Sequence, residues 1–86
     1  MRIWFKMIVQ NRIIQETVVE NTEDISRTRK IFSCLETVCH DWDLAVPIWL
    51  DATIRDFQHH SRARFTDDNF PEHIDFDYLE IHVIEE

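Results

Sequence analysis

The sequence has 86 residues, a formal net charge of −8 and no glycine. Phosphate-binding loops, dinucleotide-binding turns and the G-x-S-x-G nucleophile elbow all require glycine where the backbone passes a ligand or turns tightly, so the composition excludes all three. The length predicts a single domain over residues 1–86 with a modest core, and the acidic balance disfavours general nucleic-acid binding.

Two segments near the N-terminus alternate in the way that half-buried strands do. Residues 2–10 and 13–20 show this alternation, and Asn11-Arg12 between them has the length of a two-residue hairpin turn. Asn tolerates positive φ, whereas Arg stands where glycine is usual and carries some conformational cost. The pattern predicts a β-hairpin.

The next segment has the periodicity of an amphipathic helix over residues 23–41, with Thr22 as its N-cap. Its apolar stripe recurs at intervals of three and four residues: Ile25, Thr28, Phe32, Leu35, Cys39 and Trp42. The stripe is too short for a stable coiled coil, so we expect this helix to cover a sheet.

The second half of the chain predicts a short strand, a helix and a final strand. Residues 47–50 begin with a proline and suit a strand at a sheet edge. A helix over residues 52–63 follows, with Asp51 as its N-cap, and residues 66–74 form a polar connection. In residues 75–86, alternation directs Leu79, Ile81 and Val83 into the core. The order β-β-α-β-α-β predicts an α+β, two-layer domain with a mixed three- or four-stranded sheet and helices on one face.

The other face of this sheet also carries apolar residues: Trp4, Ile8, Ile14 and Val18. Such a face is either wrapped by loops or covered by another chain. We favour a partner-binding surface, with a homodimer as the simplest case.

Three segments resemble a family of short, uncharacterised bacterial proteins, mostly from Gram-positive anaerobes. They read PIWLD, RARFTDDNF and IDFDYLEIHVIE, and the similarity extends over nearly the whole chain. No activity is assigned to that family, so the resemblance implies no site residue and only a bacterial, cytoplasmic protein. The chain also lacks an apolar run long enough to span a membrane.

Charge is concentrated at the C-terminus. Residues 1–64 contain nine Lys and Arg and nine acids, whereas residues 65–86 contain eight acids and no Lys or Arg. This segment is a solvated edge, a docking surface for a basic partner, a decoy of nucleic-acid charge or a weak cation site. Asp67, Asp68 and Glu80 are the candidate partner contacts within it.

The predicted second helix carries a basic stripe. Arg55, His59 and Arg62 are spaced four and three apart, hence on one helical face, and Arg64 follows closely. This stripe predicts an anion-binding or nucleotide-binding site. The alternative is that these arginines pair with the acidic C-terminal segment.

Other chemistry has little support in the sequence. The five histidines include no H-x₃-H pair, and Asp67-Asp68-Asn69 lacks the glycine and final glutamate of a calcium loop. Cys34 and Cys39 point about 140° apart on one helix, so they cannot form a local disulfide. We therefore expect no metal, no cofactor and no enzymatic activity. The favoured function is a small cytoplasmic protein-interaction module; the alternatives are the anion-binding domain and the acidic decoy.

Overall fold

A computed structural model describes all residues, 1–86, and confirms the α+β class. The strands are β1 (Arg2–Val9), β2 (Arg12–Glu20), β3 (Arg62–Phe65) and β4 (Tyr78–Glu85), and the helices are α1 (Arg27–Asp41) and α2 (Asp51–His60). The strands form one sheet in the order β2-β1-β4-β3, with every neighbouring pair antiparallel. The sheet is therefore purely antiparallel and not the mixed sheet that the sequence predicted. The order of elements is β-β-α-α-β-β in place of the predicted β-β-α-β-α-β.

The N-terminal hairpin is confirmed, but its turn lies one residue earlier than predicted. Val9 pairs with Arg12, so Gln10 and Asn11 occupy the two turn positions, with φ of 50° and 63°. Arg12 does not adopt a positive φ, because it is the first residue of β2. The Gln10 backbone N–H donates a 2.8 Å hydrogen bond to Asp77, which ties the turn to the start of β4.

Helix α1 is confirmed, although it begins at Arg27 and not at residue 23. Its N-cap is Ser26, whose hydroxyl accepts a 3.2 Å hydrogen bond from the Arg29 backbone N–H. The expected cap, Thr22, lies in an irregular segment in which the Glu23 N–H donates to the Asn21 side chain. Two local cap-like sequences compete here, and the later one starts the helix.

Residues 47–50 are not a strand, which corrects the prediction. The Ile48 N–H donates a 2.7 Å hydrogen bond to the Asn69 carbonyl, and no strand lies beside this segment. The fourth strand is β3, whose first two residues fall within the predicted second helix. Ser61 adopts φ 52°, ends α2 and reverses the chain.

The core lies between one sheet face and the helices. The largest fully buried side chains include Ile3 and Phe5 on β1, Leu79 and Ile81 on β4, and Leu35 on α1. The predicted burial of Leu79, Ile81 and Val83 is confirmed. We call the helix-covered side of the sheet the inner face and the opposite side the outer face.

Candidate functional site

The outer face carries three of the four predicted apolar residues, Trp4, Ile8 and Val18, but most of their surface is covered. Ile8 is only 6% exposed, and the Trp4 indole N–H donates a 3.0 Å hydrogen bond to Glu16. A register shift between Met7 and Ile8 displaces Ile14, which lies beside Met7 on the other side of the sheet. Of the four predicted residues, only Val18 is an exposed apolar residue on this face.

A charge network occupies the centre of the outer face instead. Lys6 of β1 and Glu80 of β4 are directly opposite, with Nζ 3.3 Å from Oε2. Arg62 Nε lies 3.7 Å from the other carboxylate oxygen, and Lys6 Nζ lies 3.9 Å from the centre of the Trp4 ring system. The Lys6 and Glu80 side chains are only 12% and 10% exposed, although no helix covers them. We call Lys6, Arg62, Arg64 and Glu80 the Glu80 cluster.

Arg64 completes this cluster without a carboxylate of its own. It pairs with Glu80 in the strand register, and its guanidinium carbon lies 4.6 Å from the centre of the Tyr78 ring. Beside the cluster, burial and the charges of Arg62 and Lys6 lower the pKa of His82, against the opposing effect of Glu80. Burial is the largest of these effects.

The predicted basic helix face is not formed. Arg55 and His59 are exposed on α2, whereas Arg62 and Arg64 belong to β3 and lie on the outer face of the sheet. Ser61 interrupts the helical spacing on which the prediction depended, because its left-handed conformation ends α2. Arg62 faces Glu80, as the pairing alternative expected.

Three of the eight carboxylates in the acidic C-terminal segment form ion pairs with Lys or Arg. Glu80 pairs with Lys6 and Arg62, Glu85 with Arg2, and Glu86 with Arg27. Asp67 and Asp68 lie on an exposed 3-10 turn and form no ion pair. The decoy hypothesis expects carboxylates without arginine partners, and Glu80, Glu85 and Glu86 do not meet that expectation.

An apolar groove lies on the helix layer, at a place that sequence reasoning missed. It has a volume of about 290 Å³, and its apolar lining consists of Ile31, Phe32, Trp49, Ile54 and Phe57. We call these five residues the helix-layer groove. Ile31 and Phe57 are buried and form its floor, whereas Phe32 is 49% exposed and Ile54 38% exposed.

An aromatic pair divides this groove from a second depression. The ring centroids of Phe32 and Trp49 are 5.9 Å apart, and both rings also line a smaller depression with Leu35, Glu36 and Val46. Trp49 in turn packs edge-on against Phe57 and Phe65, at 5.5 and 5.0 Å. The core thus holds Trp49 in place while Phe32 remains half exposed.

The charged residue that lines the groove is Arg27, and the one that lines the second depression is Glu36. Arg27, at one end, donates to both carboxylate oxygens of Glu86, at 2.9 and 3.3 Å. Glu36 lies at the second depression, and Asp51 precedes Ile54 by three residues, on the same side of α2. Glu36 forms no ion pair, so the second depression has an unpaired acidic residue at its border.

Cys34 and Cys39 are buried, and their thiols are poorly ionised at neutral pH. Both are free thiols, and burial raises the pKa of Cys39 to about 11 and raises that of Cys34 as well. A thiol whose pKa lies far above neutrality contains little of the nucleophilic thiolate. Neither thiol is a candidate nucleophile.

Comparison with known proteins identifies no site in this chain. No family model, curated protein or solved structure matches the chain. No three potential metal ligands converge, and neither helix is long and apolar enough to cross a bilayer. The two surfaces with unusual chemistry are the helix-layer groove and the Glu80 cluster.

Proposed function

We propose that this protein is a cytoplasmic protein-interaction module, and that its helix-layer groove binds a short apolar segment of a basic partner. The observation that carries the proposal is Phe32, a phenylalanine left 49% exposed above an apolar depression. Aromatic anchors at the centre of a groove supply most of the binding energy in many interfaces. The two free thiols suit a reducing compartment.

The size and composition of the groove favour a side chain of the partner as its occupant. A volume of about 290 Å³ is small for a drug-sized ligand and large enough for one or two bulky side chains. Trp49 is fixed by its contacts with Phe57 and Phe65, so little order has to be gained when a partner binds. The second depression beside Val46 extends the apolar contact along α1.

Charge selects the chemistry of the flanking residues. Glu36 is unpaired at the border of the second depression, whereas Glu86 neutralises Arg27. A segment with Lys or Arg beside its apolar anchor complements this border, and the net charge of −8 steers such a segment toward the protein. An acidic segment is repelled.

A displayed peptide library tests the proposal directly. Selection uses the wild-type protein, with counter-selection against Phe32→Glu, and affinities are measured for the selected synthetic peptides. We expect peptides with one or two bulky apolar residues and flanking Lys or Arg, and an affinity loss of at least about tenfold for Phe32→Glu. Ile13→Glu is the matched control, because Ile13 is 44% exposed on β2, away from the groove.

Two results would overturn this function. One is a selection that enriches no peptide with an apolar anchor. The other is a set of peptides that bind Phe32→Glu and wild type equally. Self-association remains a prediction of the sequence, and sedimentation of wild type and Phe32→Glu at several concentrations separates a second copy in the groove from a distinct partner.

A further inference from the structure

We propose that the Glu80 cluster is a binding site for a small phosphorylated molecule, whose phosphoryl group is held by Arg62 and Arg64. The two arginines are two residues apart on β3 and therefore project from the same face of the strand. Their backbone positions are separated by roughly 7 Å, at 3.3 to 3.4 Å per residue. Two guanidinium groups at that spacing can converge on one phosphoryl group.

The cluster has unused donor capacity on the side of β3. Both oxygens of Glu80 are engaged, one with Lys6 and one with Arg62. Arg64 forms no ion pair, and Arg62 lies 3.7 Å from Glu80, beyond hydrogen-bonding distance. These guanidinium N–H groups are the hydrogen-bond donors offered to a ligand.

Burial of the central pair gives the site a rigid base. Lys6 and Glu80 remain only 12% and 10% exposed on an uncovered sheet face, because Trp4, Tyr78 and the arginine side chains surround them. Arg62 is 53% exposed and borders a shallow depression with Arg64 and His60. Asp56 also borders the depression and forms no ion pair with either arginine. A ligand therefore meets a fixed Lys6–Glu80 pair and two movable guanidinium groups.

The charges beside His82 agree with the geometry of the two arginines. Burial is the largest cause of the lowered pKa of His82; the charges of Arg62 and Lys6 lower it further, and Glu80 opposes them. An anion is favoured by the same potential that disfavours a second cation.

The surroundings restrict the ligand to a small one. A nucleic-acid strand would extend beyond the cluster over a chain whose net charge is −8, which repels further phosphates. The two aromatic rings beside the cluster, Trp4 and Tyr78, already have Lys6 and Arg64 on them, which leaves less ring surface for a stacked base. We therefore assign the site to one phosphoryl group.

Titration with inorganic phosphate at constant ionic strength tests the proposal. Two-dimensional NMR follows the backbone amides of β3 and β4, and proton NMR of the His82 ring gives its pKa with and without phosphate. We expect saturable shifts centred on residues 62–64 and 80–82. We also expect a rise in the pKa of His82, because a bound anion offsets the cations that lower it.

Variants and ligands of increasing size locate the site and its ligand class. Arg64→Gln removes a guanidinium that holds no internal ion pair, and we expect it to weaken phosphate binding about tenfold or more. Arg55→Gln, an exposed arginine on α2, is the control and should bind like wild type. A nucleoside monophosphate should bind at least as well as phosphate, and a single-stranded oligonucleotide should bind no better per phosphate.

Three outcomes would overturn this assignment. They are the absence of saturable shifts at millimolar phosphate, equal binding by the Arg64→Gln and Arg55→Gln variants, and an oligonucleotide affinity far above that of phosphate. The last outcome identifies a nucleic-acid surface. Phosphate binding by Phe32→Glu should equal that of wild type, so failure of the helix-layer groove and failure of this site are separately visible.

Discussion

The side-chain amide of Asn69 donates a 2.9 Å hydrogen bond to the hydroxyl of Thr53, and both residues are buried. The same amide nitrogen donates to the Ile48 carbonyl at 2.9 Å, and its oxygen accepts from the Thr66 backbone N–H at 3.0 Å. One asparagine thus joins helix α2, the irregular segment 43–50 and the 3-10 turn after β3. Because Trp49 lies within that segment, Asn69 also holds one wall of the helix-layer groove.

Replacing Asn69 with leucine should destabilise the protein by roughly 3 kcal/mol. The substitution leaves the buried Thr53 hydroxyl and the partly buried Ile48 carbonyl without their partner, and an unsatisfied buried group costs about 1–3 kcal/mol. Urea unfolding followed by far-UV circular dichroism measures the change. Gln15→Leu, an exposed amide on β2, is the matched control and should stay within about 0.5 kcal/mol of wild type. An equally small effect for Asn69→Leu would refute the role of Asn69.

The same contact explains why residues 47–50 were predicted as a strand. Pro47, Ile48, Trp49 and Leu50 have the composition of an edge strand, and local composition carries no information about a pairing partner twenty residues away. The backbone groups of Ile48 are paired by Asn69, through one main-chain and one side-chain hydrogen bond. Asn69, which the sequence analysis assigned to a turn, therefore provides the backbone hydrogen bonds that a neighbouring strand would otherwise provide.

Strand β3 was missed for a different physical reason. Arg55, His59 and Arg62 satisfy helical spacing, whereas Ala63 and Phe65 satisfy strand alternation, so the two periods overlap. Ser61 determines which period applies, because its left-handed backbone conformation ends α2. Glycine usually marks that position, and this chain contains none. The hairpin, α1 and β4 were predictable because each has one uninterrupted period.

Ser61→Gly should stabilise the protein by about 0.5 kcal/mol. Ser61 has φ 52°, where a Cβ atom is disfavoured, and glycine relieves that cost while losing more chain entropy on folding. Ser61→Val should destabilise it, since a β-branched residue tolerates this region least. Thermal unfolding of the three proteins measures the order Gly, Ser, Val. A Val variant as stable as wild type would contradict the assigned conformation.

His82 should make the protein less stable below neutral pH. Its pKa is lowered in the folded state from an ordinary value of 6.5, so the unfolded chain binds the proton first as the pH falls. The contribution of His82 to the free energy of unfolding is fully present above pH 6.5. It declines as the pH falls from 6.5 to the lowered pKa of the folded state. Burial is the largest cause of the lowered pKa, followed by the charges of Arg62 and Lys6, whereas Glu80 opposes it.

Urea midpoints at pH 7.5 and pH 5.5, about one unit either side of that ordinary value, measure this effect. His82→Gln should reduce the loss of stability between the two pH values, whereas His40→Gln, an exposed substitution on α1, should leave it unchanged. Glu86, whose pKa is lowered chiefly by its hydrogen bond with Arg27, acts in the more acidic range below 4.5. Equal pH profiles for His82→Gln and wild type would exclude His82 as the cause.

Cys39 should make the protein less stable in alkali. Burial raises its pKa from 9.0 to about 11, so between these values the unfolded chain has lost a proton that the folded chain retains. Stability should therefore fall as the pH rises through this window, and less steeply in Cys39→Ala after correction for its lost packing. Iodoacetamide labelling at neutral pH should be slow in the folded protein and fast in urea. Rapid labelling of the native Cys39 would show that it is not buried.

Phe32 and Leu35 belong to one predicted apolar stripe, but they should differ sharply in their effect on stability. Leu35 is 1% exposed, and Leu35→Ala should cost about 3 kcal/mol through lost burial and a cavity. Phe32 is 49% exposed and packs mainly against Trp49, so Phe32→Ala should cost about 1 kcal/mol or less. Helical periodicity predicts that Phe32 and Leu35 are both buried, because it shows only which side of the helix they lie on. It does not show which residues pack against that side. Beside Phe32 the neighbouring segment supplies one ring and leaves the rest of the phenylalanine uncovered. Urea unfolding of both variants decides the matter. A cost for Phe32→Ala as large as that for Leu35→Ala would make Phe32 a core residue and remove the anchor on which the proposed interaction depends.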